Sequence, residues 1–206
     1  TLYEVDEAVS AAQAAFDAWA ARTVRERGMV LFRAASAVRS RGHELAMLLT
    51  AEQGKPERDA VDEVRGFASI LEFYAGIAGA MHCDLISLGS RGDCLVHHEP
   101  LGICGAIVPW NMPVIIMGWK IGPALLAGNP LVFKPASETP LTSLSIGNLM
   151  EEAGLPPGVL NIVTGRGSVV GEALVKHPDI GKISFTGDIE TGDRVRELAG
   201  PRMAEI

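Results

Sequence analysis

The stretch 101–139, LGICGAIVPWNMPVIIMGWKIGPALLAGNPLVFKPASET, constrains this chain more than any other part of it. It opens with an apolar run, 103–108, too short for an ordinary helix and stopped by Pro109, which reads as a buried strand. The next segment carries Pro113, suited to a first helical turn because its missing N–H costs nothing there, and Gly128-Asn129 supplies a C-terminal stop. A second apolar strand, 131–133, then runs into Lys134-Pro135. Strand, helix, strand, with both strands apolar throughout, is the pattern of a βαβ unit whose parallel sheet is covered on both faces. Such sheets bind ligands outside the carboxyl ends of their strands. Asn111, after the first strand, and Lys134, at the end of the second, therefore converge on one crevice.

Apolar spacing predicts four helices ahead of this unit. The first, 5–21, puts Val5, Val9, Ala12, Phe16 and Trp19 on one face, with Phe16 and Trp19 expected in the core. The others span 24–39, 43–52 and 57–80; Gly54-Lys55-Pro56 separates the last two. The fourth buries Val61, Val64, Ala68, Leu71 and Ala75, and its glycines Gly66, Gly76 and Gly79 are expected to admit close helix contact. Between 83 and 100, two short extended runs flank Gly89-Ser90-Arg91-Gly92, a hairpin signal. Beyond the central unit the alternation continues: helix 141–153 with Thr139-Pro140 as its cap and first residue, strand 159–163, helix 168–176, strand 180–185, helix 189–198. The expected fold is α/β: N-terminal helices and a β-hairpin, followed by a doubly wound parallel sheet. The corresponding units are 1–82, 83–100 and 101–206.

Charge and composition exclude some functions. A net charge of -7 argues against a nucleic-acid partner, since phosphate binding needs a basic face. The cluster Arg22, Arg25, Arg27, Arg33, Arg39, Arg41 follows a helical pattern and reads as a solvated face. Cysteines number 3, few and odd, which fits a reducing compartment without a disulfide framework. No targeting segment is read at the N-terminus, and the apolar stretch after Pro113 contains Lys120 and is too short to span a bilayer. The expectation is a soluble, cytoplasmic protein with no membrane partner.

The motif PWNMP, followed by GN-x4-KPAS-x-TP, resembles the aldehyde dehydrogenase superfamily, and the likeness extends over nearly the whole chain. It implies a Rossmann-like cofactor domain, incomplete here, from an enzyme that oxidises a small aldehyde to a carboxylic acid through a cysteine thiohemiacetal. NAD or NADP is the implied cofactor. Judged from the residues alone, Asn111 reads first as a helix cap. The resemblance makes its carboxamide the donor to the oxyanion formed when a thiolate adds to the carbonyl. Lys134 alone reads as a snorkelling lysine; the resemblance places it on the adenosine ribose. Many NAD-using members carry glutamate where Ser137 stands. A serine can hydrogen-bond a 2′-phosphate that a carboxylate would repel, so NADP tolerance is expected, with the neighbouring Glu138 opposing it.

The implied cofactor residues are Ile107, Val108, Pro109 and Trp110 after the first strand, Gly167 and Ser168 after the third, and Phe185, Thr186, Gly187, Asp188 and Gly192 after the fourth. Glycines at such turns let phosphate approach the N–H groups of a helix start. Asp188 stands where the family usually has serine, so it either caps the helix and points away or weakens cofactor binding. The family uses its hairpin for subunit contacts, which implies a homo-oligomer.

The family reaction also needs a cysteine nucleophile and a glutamate base. None of Cys83, Cys94 and Cys104 occupies the nucleophile position, Glu205 reads as structural, and both groups are expected beyond Ile206. The chain thus reads as a cofactor-binding fragment without its catalytic domain, inactive alone. The alternative is a non-catalytic dinucleotide-binding or subunit-interaction module. Two further readings fail: His97 and His98 are strand neighbours facing opposite ways, no basis for a metal site, and Tyr74 is followed at the fourth place by Ala78 rather than the lysine a short-chain dehydrogenase needs.

Overall fold

A computed structural model describes every residue except Met203 and Ile206. Four helices come first: α1 (Leu2–Ala20), α2 (Val24–Ser40), α3 (Gly42–Gln53) and α4 (Glu57–Ile77). Thr23 and Glu26 form a reciprocal capping box at the start of α2, and Gly54 ends α3 in a left-handed conformation at φ 86°. The hairpin follows as β1 (Asp84–Ser87) and β2 (Asp93–Val96), antiparallel, with Leu85 opposite Leu95. The remaining chain alternates: β3 (Ile103–Ile107), α5 (Pro113–Leu126), β4 (Leu131–Lys134), α6 (Leu141–Glu152), β5 (Leu160–Ile162), α7 (Glu172–Lys176), β6 (Ile180–Phe185) and α8 (Ile189–Ala199).

The last four strands form one parallel sheet in the order β5-β4-β3-β6. Helices cover both faces, as the uninterrupted apolar strands require. On one face Cys104, Ala106, Leu131 and Phe133 join a core with α2 to α6; on the other Ile103, Val132, Ile180 and Ile183 join a core with α1, α7 and α8. The doubly wound α/β architecture expected from the sequence is therefore present. Beyond β6, Glu205 pairs in parallel with Lys182, and the amide of Ile183 donates to its carbonyl at 2.7 Å.

Two glycines of α5 fix how closely the helical layer approaches. Gly118 and Gly122 face Phe67 and Tyr74 of α4, so the two helices cross where only hydrogen separates backbone from ring. Gly66 of α4 plays the reciprocal part against Ile115. Gly76 and Gly79 meet nothing within 4 Å, contrary to expectation; Gly76 lies next to the end of α4 and Gly79 in the turn beyond it. Trp19 is buried and donates from Nε1 to the Leu125 carbonyl at 3.1 Å, whereas Phe16 is only half-buried. The stretch 168–176 is not one α-helix: a π-type turn, Gly167–Gly171, precedes a short α7. Thr139 caps nothing. Its hydroxyl is buried without a partner, and Glu52 of α3 reaches over to accept from the Leu141 and Thr142 amides at 2.7 and 3.0 Å. Among the described residues no helix is long and apolar enough to cross a membrane.

Candidate functional site

The carboxyl ends of β3 and β6 lie side by side, tied by a bond from the Thr186 amide to the Ile107 carbonyl at 3.0 Å. The turn after β3 runs through Pro109, Trp110 and Asn111 into α5. Met112, not Asn111, occupies the N-cap position, so the capping reading of Asn111 does not hold. Its carboxamide makes no hydrogen bond among the described residues, while its backbone carbonyl accepts from Gln53 Nε2 and Lys55 Nζ, each at 3.1 Å. The start of α5 has no free backbone donor. Pro113 lacks an N–H, the Val114 and Ile115 amides donate to Glu63 Oε1 at 2.8 and 3.0 Å, and the Ile116 amide donates to the Met112 carbonyl. The first turn of α5 is thus closed to a ligand, and the Asn111 side chain is one of the donors left on the turn before it.

Two cavities open at this edge of the sheet. One, of about 470 Å³, is walled by Val108, Pro109, Trp110 and Asn111 on the β3 side and by Phe185, Thr186 and Gly187 on the β6 side. The other, of about 600 Å³, lies between the turn at Gly167 and Ser168 and the facing surfaces of α7 and α8. Ile107, Asp188 and Thr191 line both, so the cavities adjoin at a common wall. Such volumes are those of small-molecule sites. Asn111 also borders a third cavity, of about 500 Å³, whose wall includes Asp59, Met112 and Ile115.

Asp188 sits at the start of α8. Its carboxylate accepts from the Thr191 amide and hydroxyl, both at 2.8 Å, and these bonds hold its pKa below the usual aspartate value. Of the two readings open for it, the cap is the one observed. Gly187 is required sterically: a Cβ there would run into the Phe185 ring, and Gly192 packs under the same ring.

Lys134 and Ser137 stand differently from the other predicted residues. Lys134 is 3% exposed, folds its ammonium onto the Pro135 carbonyl at 2.9 Å, and borders neither of the adjoining cavities. Burial pushes its pKa down, partly offset by Glu138. The snorkelling reading is thus corrected, because the sheet end is covered by the Gly171 turn, which lies against the lysine's own methylenes. Ser137 is exposed and donates to the Gly165 carbonyl at 3.1 Å, tying the loop after β4 to the loop after β5. The α7 and α8 lining, including Glu172, Val175, Arg194 and Val195, went unread in the sequence; Arg194 bridges the two helices through Glu172 at 3.1 Å.

No cysteine lines these cavities. Cys104 is buried within β3, and burial raises its thiol pKa to about 11, so it stays protonated at neutral pH. Cys83 and Cys94 lie exposed on the hairpin, with Cys83 Sγ 3.5 Å from His97 Nδ1. Glu205 pairs with Lys182 at 3.1 Å, away from Asn111. Among the described residues no cluster of His, Cys, Asp and Glu could hold a metal ion.

Comparison with known proteins agrees with this layout. The model of the aldehyde dehydrogenase family matches residues 1–206, and the chain belongs to that family. Its structure superposes with a TM-score of 0.97 on a Burkholderia cenocepacia protein assigned as an aldehyde dehydrogenase, at 41% identity. It matches PnpE in complex with nicotinamide adenine dinucleotide equally well, TM-score 0.97 at 40% identity; the PnpE structure solved without that description is from Pseudomonas sp. WBC-3. An NADP-dependent enzyme of E. coli follows at 0.95 and 37%. The first two matches cover 100% of this chain and the third 98%, but each covers only 42% of the relative. The chain thus spans well under half the length of these proteins.

Proposed function

We propose that this chain provides the cofactor site and the oxyanion donor of an NAD(P)-dependent aldehyde dehydrogenase. The observation that carries the reading is the pair of adjoining cavities at the carboxyl edge of the sheet, with Asn111 at one end. A dinucleotide laid across the common wall would place its adenosine between α7 and α8 and its nicotinamide beside Pro109, Trp110 and Phe185. That one solved relative is a complex with NAD and another is an NADP-dependent enzyme supports either cofactor. Ser137, being exposed beside the buried Lys134, supports tolerance of a 2′-phosphate.

When bound, the cofactor supplies the hydride acceptor. The residues of this chain do the rest of what the site needs from it. Asn111, whose carboxamide has no hydrogen-bond partner among the described residues, lines both the cofactor-side cavity and the third cavity. An aldehyde entering by the third cavity would present its oxygen there, and the amide would donate to the oxyanion as a thiolate adds to the carbonyl carbon. An amide suits this because it donates without titrating. With hydride lost to the bound cofactor, the adduct would become a thioester, which water would cleave to the carboxylate and the free thiol. The thiolate and the water-activating base come from outside the described residues.

Titration calorimetry with NAD and NADP tests the binding half. Saturable binding of either in the micromolar to millimolar range is expected, with no aldehyde oxidation by the 206-residue chain alone. Turnover from that chain would overturn the assignment of the missing nucleophile, and absence of binding would overturn the cofactor site.

A further inference from the structure

The residues behind Asn111 form a device that the reaction itself does not call for. Glu63 of α4 is 3% exposed, and its two oxygens do different things. Oε1 takes the Val114 and Ile115 amides at the start of α5; Oε2 pairs with the Lys55 ammonium. Lys55 in turn donates to the Asn111 carbonyl, where Gln53 donates as well. The Gln53 Oε1 is buried without a partner, so its amide is held here by the Nε2 bond to Asn111. A continuous path thus runs from the first turn of α5 through a carboxylate and an ammonium to the backbone of Asn111. Both ends of the turn that carries the carboxamide are gripped from the helical layer.

A buried ion pair is poor evidence for stability, since desolvation offsets most of its attraction. Its geometry matters more here. The pair fixes the direction of the Asn111 carbonyl, and in so short a turn that direction sets where the side chain leaves the backbone. Catalytic amides need placement within fractions of an ångström to favour a developing charge.

We propose that Lys55 and Glu63, with Gln53, are positioning residues for Asn111: they line the third cavity beside it and act on the reacting carbonyl by aiming its carboxamide. This rests on the reading of Asn111 as oxyanion donor. The first test uses the 206-residue chain, 15N-labelled, in parent and Lys55→Met forms. The Asn111 carboxamide is expected to lose order by heteronuclear relaxation in Lys55→Met, while NAD affinity stays within about twofold. An unchanged carboxamide would overturn the proposal. Should Lys55→Met fail to fold, Gln53→Met removes the second donor with the ion pair intact and is held to the same two readouts.

A double-mutant cycle on aldehyde oxidation by the intact gene product separates the proposal from the reading beneath it. Lys55→Met is expected to lower kcat about tenfold with KM for the cofactor unchanged, and to add less than about twofold in an Asn111→Ala background. Equal losses in both backgrounds would overturn the positioning role while leaving Asn111 as the donor. An Asn111→Ala variant with parental kcat would overturn the reading of Asn111 itself.

Discussion

Asp188 carries a fixed negative charge to the wall that the two adjoining cavities share. Replacing it by asparagine keeps an acceptor for the Thr191 amide and removes the charge. Dinucleotide affinity is expected to rise about threefold to tenfold in calorimetry at low salt, with the gain shrinking as salt screens the parent's charge. Asp188→Ala removes the cap as well, and should lower the denaturant midpoint of unfolding. The sign of the pH effect follows from the same bonds. The folded carboxyl titrates below the ordinary aspartate value of 3.8, so the cap contributes fully above that value and is lost as pH falls through the lower, folded one. Exchange of the Thr191 amide should stay slow down to that range and accelerate beneath it. Cys104 shifts the opposite way. Its thiol is held up at about 11 against an ordinary thiol value of 9.0, so the unfolded chain releases that proton first and stability falls as pH rises above about 9. At pH 8, iodoacetamide should modify Cys83 and Cys94 and spare Cys104, as peptide mass mapping would read.

Helix α5 depends on its neighbours at both ends. A methyl at Gly122 would enter the Tyr74 ring, so Gly122→Ala should destabilise by about 1–3 kcal/mol and lower Tm by several degrees in a calorimetric scan. The elements themselves were legible. The runs at 103–107 and 131–134 are short, apolar and punctuated by Pro and Gly, and a parallel strand buried on both faces has few other ways to read. The turns that follow the strands were legible through their glycines. The helix starts were not. Thr139 has the residue type of a cap, but the groups that cap α5 and α6 are Glu63 and Glu52, separated from their amides by 51 and 89 residues. No local pattern announces a partner so distant. The cavity faces of α7 and α8 escaped for another reason: an amphipathic helix turns the same charged side to solvent as to a bound ligand, so Glu172 and Arg194 look like ordinary surface.

At the scale of the whole molecule, the hairpin stands apart. Every residue of β1 is exposed, and Leu85, Ile86 and Leu95 are among the exposed large apolar side chains. A lone two-stranded ribbon is marginal in water, and its apolar faces fit the expected subunit contact. Exchanging Leu85 and Leu95 for aspartate should lower the mass found by sedimentation to that of one chain, with Tm nearly unchanged; a parent that already sediments as a single chain would remove that role from the hairpin. The second core shows another consequence of the layout. Val5, Val9 and Ala12 of α1 pack with Val163, Val170 and Leu174, so α1 closes against elements far along the chain from it. At about 5–20 residues per second of translation, α1 waits on the order of ten seconds after leaving the ribosome before its partners exist. During that interval its apolar face is open to chaperones and to other nascent chains. A ribosome-stalled series should show α1 accessible to protease until the length passes β6, with protection appearing in one step.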